Sequence, residues 1–210
     1  MKRLPKLLLV SLVVVLVDQV IKFLVKTSMD LGEYRRVFGD WFKIQFIENP
    51  GAAFGFRMTS VFESMPETTG KTLLMVLSLA ALIGVGYFLI RLSEHQSPLP
   101  WFMALILGGA TGNMIDRCFY GIWFEPINYY DGGPLMGRVV DMFYFDLFDL
   151  PLPQFMGGGT YHLWPIFNAA DAAITTGIIA ILFFQGRFNR QHELQIGSVS
   201  PSVTAPPTTE

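Results

Sequence analysis

A chain of 210 residues that is 51% hydrophobic and only 15% charged falls well short of the ~25% charged residues of an ordinary soluble domain, so lipid is the expected solvent. A formal net charge of −2 with no basic stripe excludes nucleic acid as a partner. The single cysteine, Cys118, allows no internal disulfide, and His95, His162 and His192 lack metal-ligand spacing, so neither a metal site nor a cofactor is expected.

Lys2, Arg3 and Lys6 precede an apolar run with no small-x-small cleavage site after it. Residues 7–25 therefore read as a retained transmembrane helix with its basic end in the cytoplasm. Asp18 and Lys22 interrupt it four apart, on one face, with the acid N-terminal as an ion pair prefers. A snorkelling Lys22 would explain the lysine but leave Asp18 without a reason. Residues 26–70 form a polar excursion. Trp41 to Ile47 alternates as a half-buried strand does, Glu48-Asn49-Pro50-Gly51 is turn chemistry, and Ala52 to Phe56 resumes an extended pattern. Val61, Phe62 and Met65 suit a short interfacial element. On pattern alone Asn49 is a turn residue.

Residues 71–91 and 101–118 make the second and third spans. Runs of about 18 to 20 residues at ~1.5 Å each approach the ~30 Å hydrocarbon thickness. Gly108 and Gly112 form a small-xxx-small pair suited to close helix packing. Gly109, Asn113 and Asp116 recur at i, i+4 and i+7, so one helix face carries a gap and then two polar groups. Arg117 follows at the membrane edge, where Asp116 or a headgroup phosphate could pair with it.

Residues 119–169 read as a long irregular loop, with Gly157 to Gly159 suited to hinge a lid. Glu125, Asp131, Asp146 and Asp149 fit solvated positions near turns, the last two being the rivals for a functional role. Asp141 differs, set among Val139, Val140, Met142 and Phe143. Asp171 opens the fourth span, 170–186, and Asn168 shares its face if the helix has begun there. Residues 188–210, rich in Ser, Thr and Pro, read as a disordered cytoplasmic tail, which leaves 1–187 as one membrane-embedded domain.

Four spans bring both termini to one side and set Asp18, Asn49, Asp116, Asp141 and Asp171 at one membrane depth. Carboxylates in such a place are costly and point to function. If Asp141 and Asp171 meet, each raises the other's cost of ionising, so one keeps a proton at neutral pH. That is the equipment of aspartic hydrolysis. A proton-coupled transporter using the same carboxylates is the competing class, and a lipid-transferring enzyme would share the site's position. Against transport, the polar groups gather at one face and no inverted repeat is visible.

Five motifs now stand in order: Asp18-Gln19-x-x-Lys22, Glu48-Asn49-Pro50-Gly51-Ala52-Ala53-Phe54-Gly55, Gly108-Gly109-Ala110-x-Gly112-Asn113-x-x-Asp116-Arg117, Val139-Val140-Asp141-Met142 and Phe167-Asn168-x-Ala170-Asp171. Together they resemble the bacterial lipoprotein signal peptidase, the type II or prolipoprotein signal peptidase. The resemblance implies an α-helical integral membrane protein of four transmembrane helices, with a small extramembrane β-cradle and a helix on the periplasmic side. It also implies a multi-pass inner-membrane aspartic endopeptidase, with both termini cytoplasmic and the active site near the periplasmic face. Such an enzyme cuts diacylglyceryl-modified prolipoproteins just before the lipidated cysteine. The expected partners are those substrates and membrane lipids, the expected state a monomer. Catalysis carries over to Asp141 and Asp171. Asp18, Lys22, Asn49, Gly109, Asn113, Asp116, Arg117 and Asn168 fall on substrate-binding or supporting positions. Two departures stand out: Met142 where the family usually has Phe, and a longer segment between the two acids.

Overall fold

The computed structural model describes the backbone of residues 3–51, 67–147, 149–151, 160–162 and 165–197. Helix α1 (Leu4–Ser28) starts with a proline in its first turn, where the missing N–H costs nothing. A hairpin of β1 (Tyr34–Phe38) and β2 (Phe42–Asn49) follows, turning at Gly39, whose φ of 51° suits a residue without a Cβ. Then come α2 (Glu67–Leu92) and α3 (Leu99–Ile115). A π-helical turn (Asp116–Tyr120) prolongs α3, and the three-residue α4 (Gly121–Trp123) ends it. Strand β3 (Val139–Phe145), the short pair β4 (Asp149–Pro151) and β5 (Thr160–His162), and α5 (Ala169–Gly197) complete the order.

Helices α1 and α2 are long and apolar enough to cross a membrane, with mean hydropathies of 2.4 and 2.5. Helix α5 contributes a shorter apolar stretch, Ala169–Phe184. Leu9, Leu16, Val20, Ile83 and Leu182 stay exposed on these helices, an apolar outer surface that water would not tolerate in this amount. Helix α3 is the central one, packed against α1, α2 and α5. Its glycines make this possible. A Cβ on Gly108 would lie 2.7 Å from the Ser11 carbonyl oxygen and 2.8 Å from Val14 Cβ, and one on Gly109 would run into the Ala170 carbonyl. The backbones therefore touch where a side chain would hold them apart.

One antiparallel sheet, in the order β1-β2-β3, sits over the ends of these helices, and β4 pairs with β5 separately. Val140 and Met142 of β3 and Phe46 of β2 pack on Val25, Met29, Tyr120 and Phe124 as one buried cluster. Phe143 bridges to Phe167, with Phe143 N–H donating to the Phe167 carbonyl at 2.7 Å and the return bond at 3.1 Å. The segment entering α5 is thereby stitched to β3.

Several expectations need correcting. Glu48 and Asn49 are the last residues of a strand, not a turn, because their ladder to Val140 and Val139 continues to the residue before Pro50. The segment after 119 is not irregular throughout: β3 hides there, its alternation obscured because every residue but Asp141 is apolar or aromatic and the first four are buried whichever face they lie on. Strand β1 was not anticipated. Helix α5 runs past the expected end at 186 to Gly197, within the segment read as a disordered tail. The extended pattern at Ala52 to Phe56, the element around Val61, Phe62 and Met65, the Gly157 to Gly159 hinge and the tail beyond 197 lie outside the described residues.

A Gly108→Val variant should force α1 and α3 apart, at a cost of about 1–3 kcal/mol for overpacking. Thermal unfolding in detergent should show a clearly lowered Tm; an unchanged Tm would mean that the two helices do not meet there.

Candidate active site

The site is assembled at the N-terminus of α5. Asn168 caps this helix: its Oδ1 accepts from Asp171 N–H at 2.8 Å, and Asp171 Oδ2 accepts from Asn168 N–H at 3.4 Å. This is a reciprocal capping box, with Asp171 three residues after the cap. Asn168 is therefore the cap rather than a residue sharing a helix face with Asp171. Its side-chain amide points the other way and donates to Asp141 Oδ1 at 2.6 Å. One residue thus holds both carboxylates.

Two more amides complete the first ring of partners. Asn49 Nδ2 donates to Asp141 Oδ2 at 3.0 Å, and Asn113 Nδ2 donates to Asp171 Oδ1 at 2.9 Å. Asp141 is 3% exposed. Burial first, and then the nearby charge of Asp171, push its carboxyl up to about 7, against the pull of the Asn49 and Asn168 amides and of Lys22. A carboxyl in that range can hold or release a proton at neutral pH.

Behind the pair lies a set of fully buried charges. Lys22 Nζ sits 2.9 Å from Asp18 and 2.8 Å from Asp116, with all three side chains 0% exposed. The same ammonium donates to Asn113 Oδ1 at 2.8 Å, which turns the Asn113 amide toward Asp171. Asp18 Oδ1 accepts from the Ala170 N–H at 2.8 Å, one of the unpaired donors at the start of α5, where a negative charge also meets the positive end of the helix dipole. Asp116 Oδ2 accepts from Val140 N–H at 3.2 Å, next to Asp141. Gly112 leaves room for this: a Cβ there would come within 2.5 Å of Asp18 Oδ2.

The structure brings Asp18, Lys22, Asn49, Gly109, Asn113, Asp116, Arg117, Asp141, Asn168 and Asp171 into one neighbourhood, with one pairing changed. Arg117 does not pair with Asp116, which Lys22 and Gln19 occupy. Its guanidinium instead donates to the Gly51 carbonyl at 3.2 Å and to Ser78 Oγ at 3.3 Å, within electrostatic reach of Asp171 and Asp141. Gly109 lets α3 touch α5 at Ala170 and Ile174. Asp146 lies away from the pair and is joined to Lys43. Gln19 and Tyr120 were not anticipated as network members: Tyr120 donates to Gln19 Oε1 at 3.1 Å, and Gln19 donates to Asp116 Oδ1 at 2.8 Å. The clue to Gln19 was its place inside an apolar helix. Among the described residues no His, Cys, Asp and Glu group could hold a metal ion.

The sequence profile described as Signal peptidase (SPase) II matches residues 10–186. The chain belongs to the signal peptidase II family. A lipoprotein signal peptidase from Porphyromonas gingivalis is 37% identical over 205 residues, covering 87% of this chain and 84% of that protein. Another, from Amoebophilus asiaticus, is 32% identical over 202 residues, covering 92% and 83%. A bacterial membrane enzyme solved by the in meso method at 2.3 Å resolution superposes with a TM-score of 0.62 over 98% of this chain and 95% of that one, at 23% identity. A second such enzyme, at 1.9 Å, gives 0.60 over 85% and 91%, at 26% identity. This signal peptidase II family member is thus a membrane protein with a peptidase's ancestry, and the polar cluster is its outstanding feature.

Replacing Lys22 with Met should leave two buried carboxylates unpaired and cost about 3–5 kcal/mol. Removing all three charges together with Lys22→Met/Asp18→Asn/Asp116→Asn should recover most of the Tm in detergent. If Lys22→Met alone unfolds at the wild-type temperature, the three charges are not packed together.

Proposed function

We propose that this chain is a membrane-embedded aspartic endopeptidase. It removes the signal peptide from diacylglyceryl-modified prolipoproteins just before the lipidated cysteine, with Asp141 and Asp171 as the catalytic pair. Helices α1, α2, α3 and α5 span the inner membrane, both termini are cytoplasmic, and the sheet lies on the periplasmic side. The observation that carries the reading is Asn168, whose side chain and backbone N–H bond one carboxylate each. Family membership supports the substrate class, since the relatives named above are lipoprotein signal peptidases.

In the mechanism one proton is shared by the pair and belongs to both carboxyls rather than to either. The ionised carboxylate takes a proton from a water held between the two, and the resulting hydroxide attacks the scissile carbonyl. The protonated partner hydrogen-bonds the developing oxyanion, then helps return a proton to the leaving amine as the C–N bond breaks. Asn113 and Asn168 keep both carboxylates aimed at the same water. Arg117, anchored to Gly51 and Ser78, supplies positive charge beside the pair. The substrate's acyl chains lie between helices and contribute binding energy that orients the peptide. No cofactor takes part, and the enzyme acts as a monomer.

A transporter would need polar groups along the whole membrane path. Here they occupy the C-terminal parts of α1 and α3 and the first turn of α5, all at one end of the bundle.

Cleavage of a lipidated precursor peptide by purified protein should fall by at least ~10²–10⁴-fold in Asp141→Asn and in Asp171→Asn, with folding of each verified by Tm. Wild-type turnover by either variant would exclude the pair as catalyst. The rate should also fall as pH rises through about 7, where the shared proton is lost. Because the Asn49 amide stabilises the charged form of Asp141, Asn49→Ala should move that alkaline limb to higher pH; a limb that moves lower or stays would contradict the contact.

A further inference from the structure

Lys26 lies one helical turn beyond Lys22, so α1 presents Asp18, Lys22 and Lys26 at i, i+4 and i+8 along one face. The first two serve the α3 and α5 ends of the site. Lys26 instead pairs with Glu48 of β2, and both side chains are 1% exposed. The ammonium sits among aromatic rings, 5.6 Å from the Phe46 centroid, 5.4 Å from Phe124 and 6.0 Å from Tyr130. Among the described residues the second oxygen of Glu48 has no partner. An ion pair buried in an apolar cluster is a poor way to stabilise a fold, since well-packed apolar residues of similar volume often do as well or better.

Its position supplies a reason. Glu48 immediately precedes Asn49, and the two pair with Val140 and Val139, beside Asp141. Strand β2 is poorly self-registered: its pairing with β3 already shifts between Ile44 and Ile47, and its ladder stops at Asn49. A slip of one residue would exchange the two faces of the strand, turning Glu48 toward the acids and Asn49 into the core. Phe46, buried in the core cluster, already opposes such a slip. The pairing irregularity between Ile44 and Ile47, however, separates the end of the strand from the regular ladder, and an apolar residue at 48 would hold that end by packing alone. A carboxylate with one buried partner resists the slip.

We infer that Lys26 and Glu48 are positioning residues: their buried pair locks the register of β2 so that Asn49 delivers its amide to Asp141. This rests on the catalytic reading of Asp141 above. The charged and titratable groups around the two ends are few. Asp141 faces Asp171 from α5 and Lys22 from α1, with Arg117 nearby on the π-helical turn. Glu48 faces Lys26 from α1, and its charge also reaches Tyr130, over which Arg138 stacks at 4.4 Å.

The test is a doubly apolar variant, Lys26→Met/Glu48→Met, compared with wild type, Asn49→Ala and Asp141→Asn in the precursor-cleavage assay. The expected result is a Tm at or above wild type, a kcat lowered by up to about 10²-fold, as misplacement of a catalytic group costs, an unchanged KM, and an alkaline limb displaced in the same direction as in Asn49→Ala. A folded variant with wild-type kcat and an unmoved limb overturns the inference. If the double variant does not fold, Glu48→Gln, which keeps an oxygen for Lys26 but removes the charge, decides by the same limb: a shift to higher pH, as in Asn49→Ala, supports, and a limb that is unmoved or moves lower overturns. Wild-type turnover by Asp141→Asn would instead bring down the catalytic reading, independently of how Glu48 behaves.

Discussion

The Ala170 N–H bond to Asp18 is the contact on which the site depends. A helix start leaves donors unpaired, and at Ala170, which is fully buried, the donor needs a partner from within the protein. Asp18 answers one of them from a different helix, and Lys22 pairs with its other carboxylate oxygen. The same lysine holds Asp116, which in turn accepts from the backbone of β3. A single buried ammonium therefore ties together α1, α3, α5 and the sheet. Removing it would leave charges without partners rather than merely loosen a surface contact.

Around that anchor the two acids are positioned by different means. Asp171 belongs to a capping box, so its direction is set by the start of its own helix. Asp141 rides on a strand, and its direction depends on the register of β2 against β3 and on the Phe143–Phe167 bridge. The asparagines between them are neutral donors. They can hold two carboxylates close without adding a charge beside them. Charge compensation is delegated to Lys22 behind the pair and Arg117 beside it.

Much of this was readable in the residues. Hydrophobic run lengths gave the helices to within a few residues at most ends, and Asp18 with Lys22 announced an ion pair because neither belongs in an apolar helix alone. The i, i+4, i+7 placement of Gly109, Asn113 and Asp116 correctly put a contact and two polar groups on one side of α3. What escaped was non-local. Strand β3 lacks polar alternation because both its faces are covered. Asn49 looked like a turn residue since Pro50 follows, yet its pairing across to Val139 decides its role. Lys26 and Glu48 each resemble solvated charges until the fold buries them against one another. Arg117 chose a carbonyl and a serine because Asp116 was already occupied.

Infrared difference spectroscopy of the carboxyl stretch, comparing wild type with Asp141→Asn and with Asp171→Asn at neutral pH, measures the shared proton directly. Proton sharing by the pair predicts a protonated-carboxyl band in the wild type that is lost in Asp141→Asn and titrates at lower pH in Asp171→Asn, where Asp141 stays buried but no longer faces a neighbouring charge. A wild type with no such band, or a band that survives unchanged in both variants, would contradict it.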